Sequence, residues 1–356
     1  MKKPLILVIN PGSTSTKIAI YNDQDCVNSM DISHTAEELS VFKRNLDQME
    51  FRTEAVHEAL ADWKIEIGTL SAIIGRGGPL KPLTGGVYRV DDTLMSDLLS
   101  GVFTDHASIL GGIIAGKLAK SASLPAFIAD PVSVDEFDDI ARISGCPELP
   151  RYSLSHALNI KSVASQYAHE TGKRVEDLNL VVAHLGGGIS IAAHKQGRQV
   201  DVNNANDGGP FSPERVGTLP LTGLLKMCFS GEYTHNELKK KLIGKGGLMA
   251  HLGTADAREV VARIESGDKK AALILDAMIY TISKEIGAMA VVMFGKVDAI
   301  ILTGGLAHQK RIVDGISERV SFIAPIIVKP GQNEMKALAT HALNALENPS
   351  IIKKYV

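Results

Sequence analysis

Residues 5–21 read LILVINPGSTSTKIAIY: an apolar run, a turn rich in small hydroxyl side chains, and a second apolar run. The first run, residues 5–9, has the length of a buried strand, and residues 16–21 predict a second strand paired with it. The turn between them can bind phosphate oxygens through backbone N–H and hydroxyl groups. It is not a Walker P-loop, because the residue spacing differs and because a strand follows instead of a helix. A hairpin turn without a ligand is the alternative interpretation.

The same succession of elements recurs in the second half of the chain. Residues 180–183 are apolar, HLGGGIS follows at 184–190, and a further strand pair is predicted around the Gln-Gly turn at 196–197. Three consecutive glycines after a buried strand cost backbone entropy, so we expect a phosphate to approach that backbone. A sharp hairpin beneath a packed neighbour would also accommodate them. Because the pattern occurs near residues 5 and 180, two similar lobes are predicted.

Two prolines define the predicted domain boundary. Pro147 and Pro150 interrupt the chain before the second set of strands, and prolines of this kind are typical of a boundary. The last predicted helix is expected to pack back on the first lobe. The predicted domains are therefore residues 1–148 together with 331–356, and residues 149–330. Each is expected to be an α/β lobe with the order β-β-β-α-β-α.

Composition excludes several classes of protein. Lysine plus arginine number 38 and aspartate plus glutamate number 40, so a net charge of −2 gives no electrostatic footprint for nucleic acid. No segment approaches the ~20 apolar residues of a membrane span, and the N-terminal run is too short for a signal-peptide core. Cys26, Cys146 and Cys228 lack the spacing of a zinc site. They are predicted to be reduced, mostly buried thiols of a cytoplasmic protein.

A third glycine motif, LTGGLA at 302–307, lies between a predicted strand and a predicted helix. In this order, NPGSTSTK, HLGGGIS and LTGGLA resemble the acetate and butyrate kinase family, over residues 10–334. GRGG at 75–78, RYSLSH at 151–156 and GPFSPER at 209–215 are more similar to its butyrate kinase members. The resemblance implies the fold shared with sugar kinases, heat-shock ATPases and actin. That fold has two actin-like, ribonuclease H-like α/β lobes around a nucleotide cleft.

The resemblance also implies an activity. Members of the family transfer the γ-phosphoryl group of ATP reversibly to a short-chain carboxylate such as butyrate, with Mg²⁺ as cofactor. A carboxylate is already an anion, so the site must neutralise charge instead of removing a proton. The implied partners are the carboxylate and ATP, without nucleic acid or membrane, in a homodimer or larger homo-oligomer. The alternatives are an acetate or propionate kinase, and a non-catalytic actin-like ATP-binding switch.

Individual positions match the family's functional residues. Asn10 matches an asparagine that faces the transferred phosphoryl group, His156 a histidine that hydrogen-bonds it, and Asp130 an aspartate that holds Mg²⁺ or positions the reacting groups. Glu334 matches a glutamate of the Mg²⁺ shell, and His106 a looser substrate or phosphate contact. The remaining phosphate- and nucleotide-binding candidates are Gly12, Ser13, Ser15, Lys17, His184, Gly186, Gly187, Gly188, Asp256, Gly304 and Gly305.

Several of these residues also have a purely structural interpretation. Asp130 precedes a proline and could cap a turn, although its place at the carboxyl end of a predicted strand favours function. Glu334 begins a predicted helix, where the helix dipole favours an acidic residue. Without the family context, His156 would be interpreted as a hydrogen-bonded histidine of a packed helix.

Two arginines depart from the acetate kinase pattern. Arg76 directly precedes Gly77-Gly78, where acetate kinases have a histidine, and Phe229 stands where they have a second arginine. We therefore expect Arg76 to bind the substrate carboxylate, and Arg215 to replace the second arginine and stabilise the transition state. Guanidinium groups suit both roles because they stay charged and bind oxyanions bidentately.

Overall fold

The computed structural model describes residues 3–101 and 105–356. The chain divides into two compact units: unit 1 is Met1–Val134 with Asn333–Val356, and unit 2 is Asp135–Gln332. This division falls earlier in the chain than the predicted boundary at 148/149. Residues 135–148 group with unit 2 because their backbone and side chains bond there. The Asp138 N–H donates to the Val200 carbonyl, and the Ser153 N–H donates to the Asp135 carboxylate.

The described residues form strands and helices in alternating groups. The strands are β1 Leu5–Pro11, β2 Ser15–Asn22, β3 Asp25–Ser33, β4 Ala72–Arg76, β5 Val87–Arg89, β6 Ala126–Ala129, β7 Asn179–Leu185, β8 Ile189–Lys195, β9 Arg198–Val202, β10 Ala299–Gly304 and β11 Ile326–Pro330. The helices are α1 Ala36–Ser40, α2 Met49–Asp62, α3 Asp92–Ser100, α4 Ile109–Ser121, α5 Asp139–Arg142, α6 Ala157–Glu170, α7 Leu221–Cys228, α8 His235–Leu242, α9 Gly247–Leu252, α10 Ala257–Glu265, α11 Lys269–Val292, α12 Lys310–Val320 and α13 Glu334–Glu347.

The sheet of unit 1 has the strand order β3-β2-β1-β4-β6-β5. β1 pairs antiparallel with β2 and parallel with β4, and β6 continues the parallel set. Leu7 and Ile9 of β1 pack in one apolar core with residues of α2 and α4, whereas α13 packs on the other face. The carboxyl ends of β1, β4 and β6 therefore meet at one edge of the sheet, where parallel α/β sheets commonly place functional side chains.

The sheet of unit 2 repeats this arrangement, with the order β11-β10-β7-β8-β9. Three antiparallel strands are again followed by two parallel ones. On one face, Val181 of β7 packs with Ile279 of α11 and Ile312 of α12; on the other, Val182 packs with Ile160 of α6. The α/β fold is confirmed, and both sheets show the predicted repeat.

Some local predictions differ from the structure. The sequence predicts a helix over about residues 36–63 with a break near Glu50, and in the structure the break spans residues 41–48, between α1, which ends at Ser40, and α2, which begins at Met49. The prediction that the cysteines are mostly buried is wrong: Cys26, Cys146 and Cys228 are all exposed. Cys26 lies on β3, the outermost strand of its sheet, and Cys228 lies on the exposed last turn of α7.

Within residues 3–101 and 105–356, no helix is long and apolar enough to cross a membrane.

Candidate active site

Three polar side chains meet at the edge of the unit 1 sheet, and we call them the unit 1 cluster: Asn10, Arg76 and Glu334. Asn10 lies near the end of β1, Arg76 ends β4, and Glu334 is the first residue of α13. The Asn10 Nδ2 donates to Glu334 Oε2 at 2.8 Å, and Arg76 Nη1 donates to the same oxygen at 3.2 Å. Asn10 is 6% exposed and Glu334 7%. The structure thus brings together three predicted residues from distant parts of the sequence.

Asp130 follows β6 at the same edge of the sheet, and its backbone has a left-handed φ of +39°. Non-glycine residues in that region are strained, and such strain clusters at functional sites. Its Oδ1 accepts the Gly86 N–H at 2.6 Å, and its Oδ2 lies 2.9 Å from His341 Nε2. His341 lies seven residues after Glu334 on α13, so two helical turns separate two residues of one helix face. Sequence reasoning missed His341, because it belongs to no motif.

The carboxylates of Asp130 and Glu334 have the chemistry of a magnesium site. Mg²⁺ takes hard oxygen ligands and is commonly bound by one or two carboxylates together with substrate phosphates. Both bonds to the Glu334 carboxylate use Oε2, so neither occupies Oε1. Among the residues that the structure describes, no group of three or more His, Cys, Asp or Glu side chains could hold a metal. Two carboxylates alone do not form a closed protein cage, and their oxygen chemistry is that of a Mg²⁺ ion that also takes phosphate ligands.

The predicted phosphate-binding turn joins β1 to β2. Its Gly12 N–H donates to the Ser15 carbonyl at 2.8 Å, which closes the turn, and Ser13 is exposed. Lys17 pairs with Asn10 in the strand register, so both side chains project from one face of the sheet. The Lys17 Nζ lies 3.7 Å from Asp31 Oδ2, and the lysine side chain is half exposed. A positive charge therefore lies near the unit 1 cluster without being committed to a buried partner.

His106 lies outside the unit 1 cluster, in the segment before α4. It is exposed, and its Nδ1 lies 2.8 Å from Ser108 Oγ. The same nitrogen accepts the Ser108 N–H at 3.2 Å. These contacts are those of a local turn that begins α4, so a substrate contact by His106 stays a prediction.

A second group of polar side chains lies around the carboxyl ends of β7 and β10, and we call it the unit 2 cluster: His156, Asn159, His184, Ser190 and Thr303. The rings of His156 and His184 stack with centroids 3.9 Å apart and an angle of 7° between their planes. His156 Nδ1 lies 2.9 Å from Ser190 Oγ. The structure thus brings the two predicted histidines into direct contact.

Asn159 connects His184 to Thr303. Its Nδ2 lies 2.9 Å from His184 Nδ1 and donates to Thr303 Oγ1 at 3.2 Å. The other ring nitrogen of His184, Nε2, lies 3.3 Å from Gln332 Nε2, so amide side chains hold the ring at both nitrogens. Sequence reasoning missed Asn159. Its position three residues after His156, on the first turn of α6, is the signal that could have indicated a shared site.

The glycine loop 186–188 packs against the segment that contains Arg215. A Cβ on Gly188 would lie 2.6 Å from Arg215 Cζ, so the guanidinium lies directly over this backbone. Ser212 Oγ donates to the Gly187 carbonyl and accepts the Arg215 N–H, which ties the two segments together. Burial lowers the pKa of the Arg215 guanidinium from its ordinary value, but arginine stays protonated in proteins. A cation thus covers the loop that was predicted to hold phosphate.

The last glycine pair has two different environments. Gly304 has φ +89°, and a Cβ there would lie 2.3 Å from the Leu185 carbonyl oxygen, so the fold itself requires glycine. A Cβ on Gly305 would meet nothing within 4 Å. Gly304 is therefore required by the fold, whereas Gly305 leaves room for a side chain, and nucleotide binding by both glycines stays a prediction.

Asp256 caps the N-terminus of α10 through its Oδ1, which accepts the Arg258 N–H at 2.9 Å. Hydrogen bonds from the Arg258 side chain lower the pKa of Asp256 to about 2. The carboxylate is therefore ionised and already held by Arg258. Its structural role is evident from these contacts, and a contact with the nucleotide ribose stays a prediction.

The chain is similar to known proteins along nearly its whole length. Residues 149–323 match the model of the acetokinase family. Probable butyrate kinase 2 from Caldanaerobacter subterraneus subsp. tengcongensis is 54% identical over 350 residues, which cover 98% of this chain and 99% of that protein.

Solved structures show the same fold at lower identity. Acetate kinase from Porphyromonas gingivalis superimposes with a TM-score of 0.80 at 18% identity, covering 96% of this chain and 100% of that chain. A propionate kinase from Francisella tularensis subsp. tularensis SCHU S4 has a TM-score of 0.75 at 18% identity, covering 95% of this chain and 98% of that chain.

Proposed function

Since this chain belongs to the acetokinase family, we propose that it is a butyrate kinase. It transfers the γ-phosphoryl group of ATP reversibly to butyrate or a similar short-chain or branched carboxylate, giving ADP and an acyl phosphate. The observation that supports this most directly is the 54% identity to a probable butyrate kinase across 98% of the chain. The reaction class is phosphoryl transfer to a carboxyl group.

The unit 1 cluster is proposed to bind the reacting groups. The substrate carboxylate is ionised at neutral pH and needs no general base, so this site must hold it against the charge of the phosphates. Arg76 is the candidate cation, since its bonds to Glu334 and Asn10 both use Nη1. The Asn10 amide is proposed to face the transferred phosphoryl group, with Glu334 holding its orientation.

The unit 2 cluster and the glycine loop are proposed to bind the nucleotide phosphates. The N–H groups of residues 186–188 and the Arg215 guanidinium are donors suited to phosphate oxygens. The His156 and His184 rings are proposed to hydrogen-bond the group in transfer, and Asn159 holds the His184 ring in position. Catalysis of this kind depends on positioning and charge neutralisation.

Asp130 and Glu334 are proposed to hold Mg²⁺ together with phosphate oxygens. When bound, the ion neutralises phosphate charge and orients the transferred group. His341 and Arg76 each engage one oxygen of these carboxylates, at 2.9 Å and 3.2 Å, and thereby fix their orientation. We further propose a homodimer or larger homo-oligomer and a cytoplasmic location.

The activity is tested with a panel of carboxylic acids. The purified protein is incubated with ATP, Mg²⁺, hydroxylamine and acetate, propionate, butyrate, isobutyrate, valerate or isovalerate, and the acyl hydroxamate is measured. Because one methylene in an apolar pocket discriminates by only ~1–3 kcal/mol, we expect butyrate to be preferred with partial activity on its neighbours. A strong preference for acetate would instead indicate that the protein is an acetate kinase. ATP binding without any acyl hydroxamate would indicate a non-catalytic protein.

The role of Arg76 is tested by Arg76→Lys, which keeps the charge but loses the planar fork. We expect the KM for butyrate to rise by about tenfold, because one charge-assisted hydrogen bond contributes roughly 1.5–3 kcal/mol. Arg89→Lys on β5 is the matched control, since Arg89 is an exposed arginine of the same unit. An unchanged KM for butyrate in Arg76→Lys would exclude this role.

A further inference from the structure

A buried arginine lies beneath the turn between β1 and β2. Arg52 belongs to α2 and is 0% exposed. Within the described part of the chain, no Asp or Glu forms an ion pair with it, and burial is the cause that lowers the pKa of its guanidinium. A charged group taken out of water is unfavourable unless it is well hydrogen-bonded. The hydrogen-bond partners of Arg52 therefore indicate the role of its positive charge.

All the partners of Arg52 are neutral oxygens, and most of them belong to the turn. Nη1 donates to the Ser15 carbonyl at 2.8 Å and to Thr16 Oγ1 at 3.0 Å. Nη2 donates to the Ser13 carbonyl at 3.2 Å, and Nε donates to Gln48 Oε1 at 2.9 Å. The guanidinium fork thus spans residues 13–16 from the inner side.

These bonds orient the peptide groups of the turn. The Thr14 carbonyl accepts the His34 N–H at 2.8 Å, so three successive carbonyls, those of residues 13–15, are engaged by the protein. Among the described residues, neither the Ser13 nor the Thr14 N–H donates to a protein acceptor, and both residues are exposed. Consecutive N–H groups of a turn that have no protein acceptor are able to bind an anion.

We propose that Arg52 is a positioning residue for phosphoryl transfer, because its guanidinium holds the carbonyls of Ser13 and Ser15 and leaves the Ser13 and Thr14 N–H groups for phosphoryl oxygens. Its uncompensated charge, placed behind the turn, adds to the attraction for an anion. The inference rests on the proposed kinase function, since it names a further residue of that site. Arg52 does not touch substrate; it acts through the turn.

The test separates binding of the transferred group from binding of the nucleotide. Titration calorimetry measures the Kd for ADP alone, and then for ADP with Mg²⁺, butyrate and aluminium fluoride, which mimics the phosphoryl group in transfer. Arg52→Gln removes the charge and the fork, and Arg52→Lys keeps the charge alone. Val56→Ala is the matched control, because Val56 is a fully buried residue of the same helix in the apolar core of unit 1.

We expect Arg52→Gln to weaken binding of the aluminium fluoride complex by about tenfold or more, the effect of one lost charge-assisted contact. Its Kd for ADP alone is expected to stay within about twofold. Arg52→Lys should give an intermediate loss, and Val56→Ala should change neither Kd even where it lowers the melting temperature. If Arg52→Gln does not fold, Arg52→Lys gives the deciding measurement.

Three outcomes would overturn the inference. They are an unchanged Kd for the aluminium fluoride complex in folded Arg52 variants, an equal weakening of ADP binding, and the same loss in Val56→Ala. Failure of the proposed function is distinguishable, because it would appear as a wild-type protein that forms no acyl hydroxamate from any short acid. If the wild-type protein is an active kinase and the Arg52 variants keep the wild-type Kd values, only the proposed role of Arg52 is excluded.

Discussion

Gly188→Ala is predicted to slow the reaction without unfolding the protein. The new Cβ would lie 2.6 Å from both Cζ and Nη1 of Arg215, whereas carbon contacts are ordinarily about 3.5–4.0 Å. The guanidinium must therefore move by about 1 Å. A displacement of about 1 Å in a positioned catalytic group can cost on the order of 100-fold in rate.

The cost in stability is expected to be small. The atoms that the new methyl meets are the far end of a flexible side chain, and Gly188 does not have a positive φ. Replacing glycine by alanine also reduces the entropy of the unfolded chain, so the free energy of unfolding should stay within about 1 kcal/mol of the wild type. A slower reaction with a nearly unchanged free energy of unfolding would distinguish a displaced arginine from a damaged fold.

The assay compares kcat for hydroxamate formation at saturating ATP and butyrate with the thermal unfolding midpoint. Gly145→Ala is the matched control, since Gly145 is exposed and a Cβ there meets nothing within 4 Å. The double variant with Arg215→Ala should be no slower than Arg215→Ala alone, because both changes act through one guanidinium. A wild-type kcat in Gly188→Ala, or additive losses in the double variant, would refute the reasoning.

Three further predictions concern other parts of the chain. Gly304→Ala combines a φ of +89° with a Cβ 2.3 Å from the Leu185 carbonyl oxygen, so it should destabilise the fold by more than about 2 kcal/mol in chemical denaturation; an unchanged midpoint would contradict this. Glu334→Gln leaves Arg76 without its ionic partner and should lower kcat by about 10- to 100-fold while raising the Mg²⁺ concentration needed for half-maximal rate; an unaltered Mg²⁺ dependence counts against the proposed ligand. Burial raises the pKa of Glu285, so its ionisation costs stability as the pH rises above its ordinary value of about 4.3. Glu285→Gln should therefore be more stable than the wild type near pH 8 and lose this advantage near pH 4. The opposing result is a difference in unfolding free energy between variant and wild type that is the same at both pH values.

The polar ends of the strands were predictable from the sequence because each motif combines an apolar run with glycine. A continuous apolar run predicts a buried strand, and the residues that follow it must lie at a sheet edge. This reasoning placed Asn10, Arg76 and Asp130 correctly at strand ends, and the structure finds them there. It needs only local sequence, which explains why it succeeded.

The supporting residues could not be predicted in the same way. Arg52, Asn159 and His341 lie on helices, where a polar residue ordinarily indicates a solvated face. Their partners are 36, 25 and 211 residues away along the chain, and one sequence does not show which helix packs on which strand. The prediction that the cysteines are buried was wrong for a related reason, because the usual burial of a thiol does not indicate which strand lies at the edge of a sheet.

Helix α13 also has a consequence for synthesis of the protein on the ribosome. It contains Glu334 and His341, which complete a site begun by Asn10 more than three hundred residues earlier. Unit 2 is one continuous segment, Asp135–Gln332, and can acquire its contacts while the chain is still growing. Unit 1 cannot close until α13 has been made. The growing polypeptide therefore lacks Glu334 and His341 until α13 has been synthesised, and this site cannot form before that point.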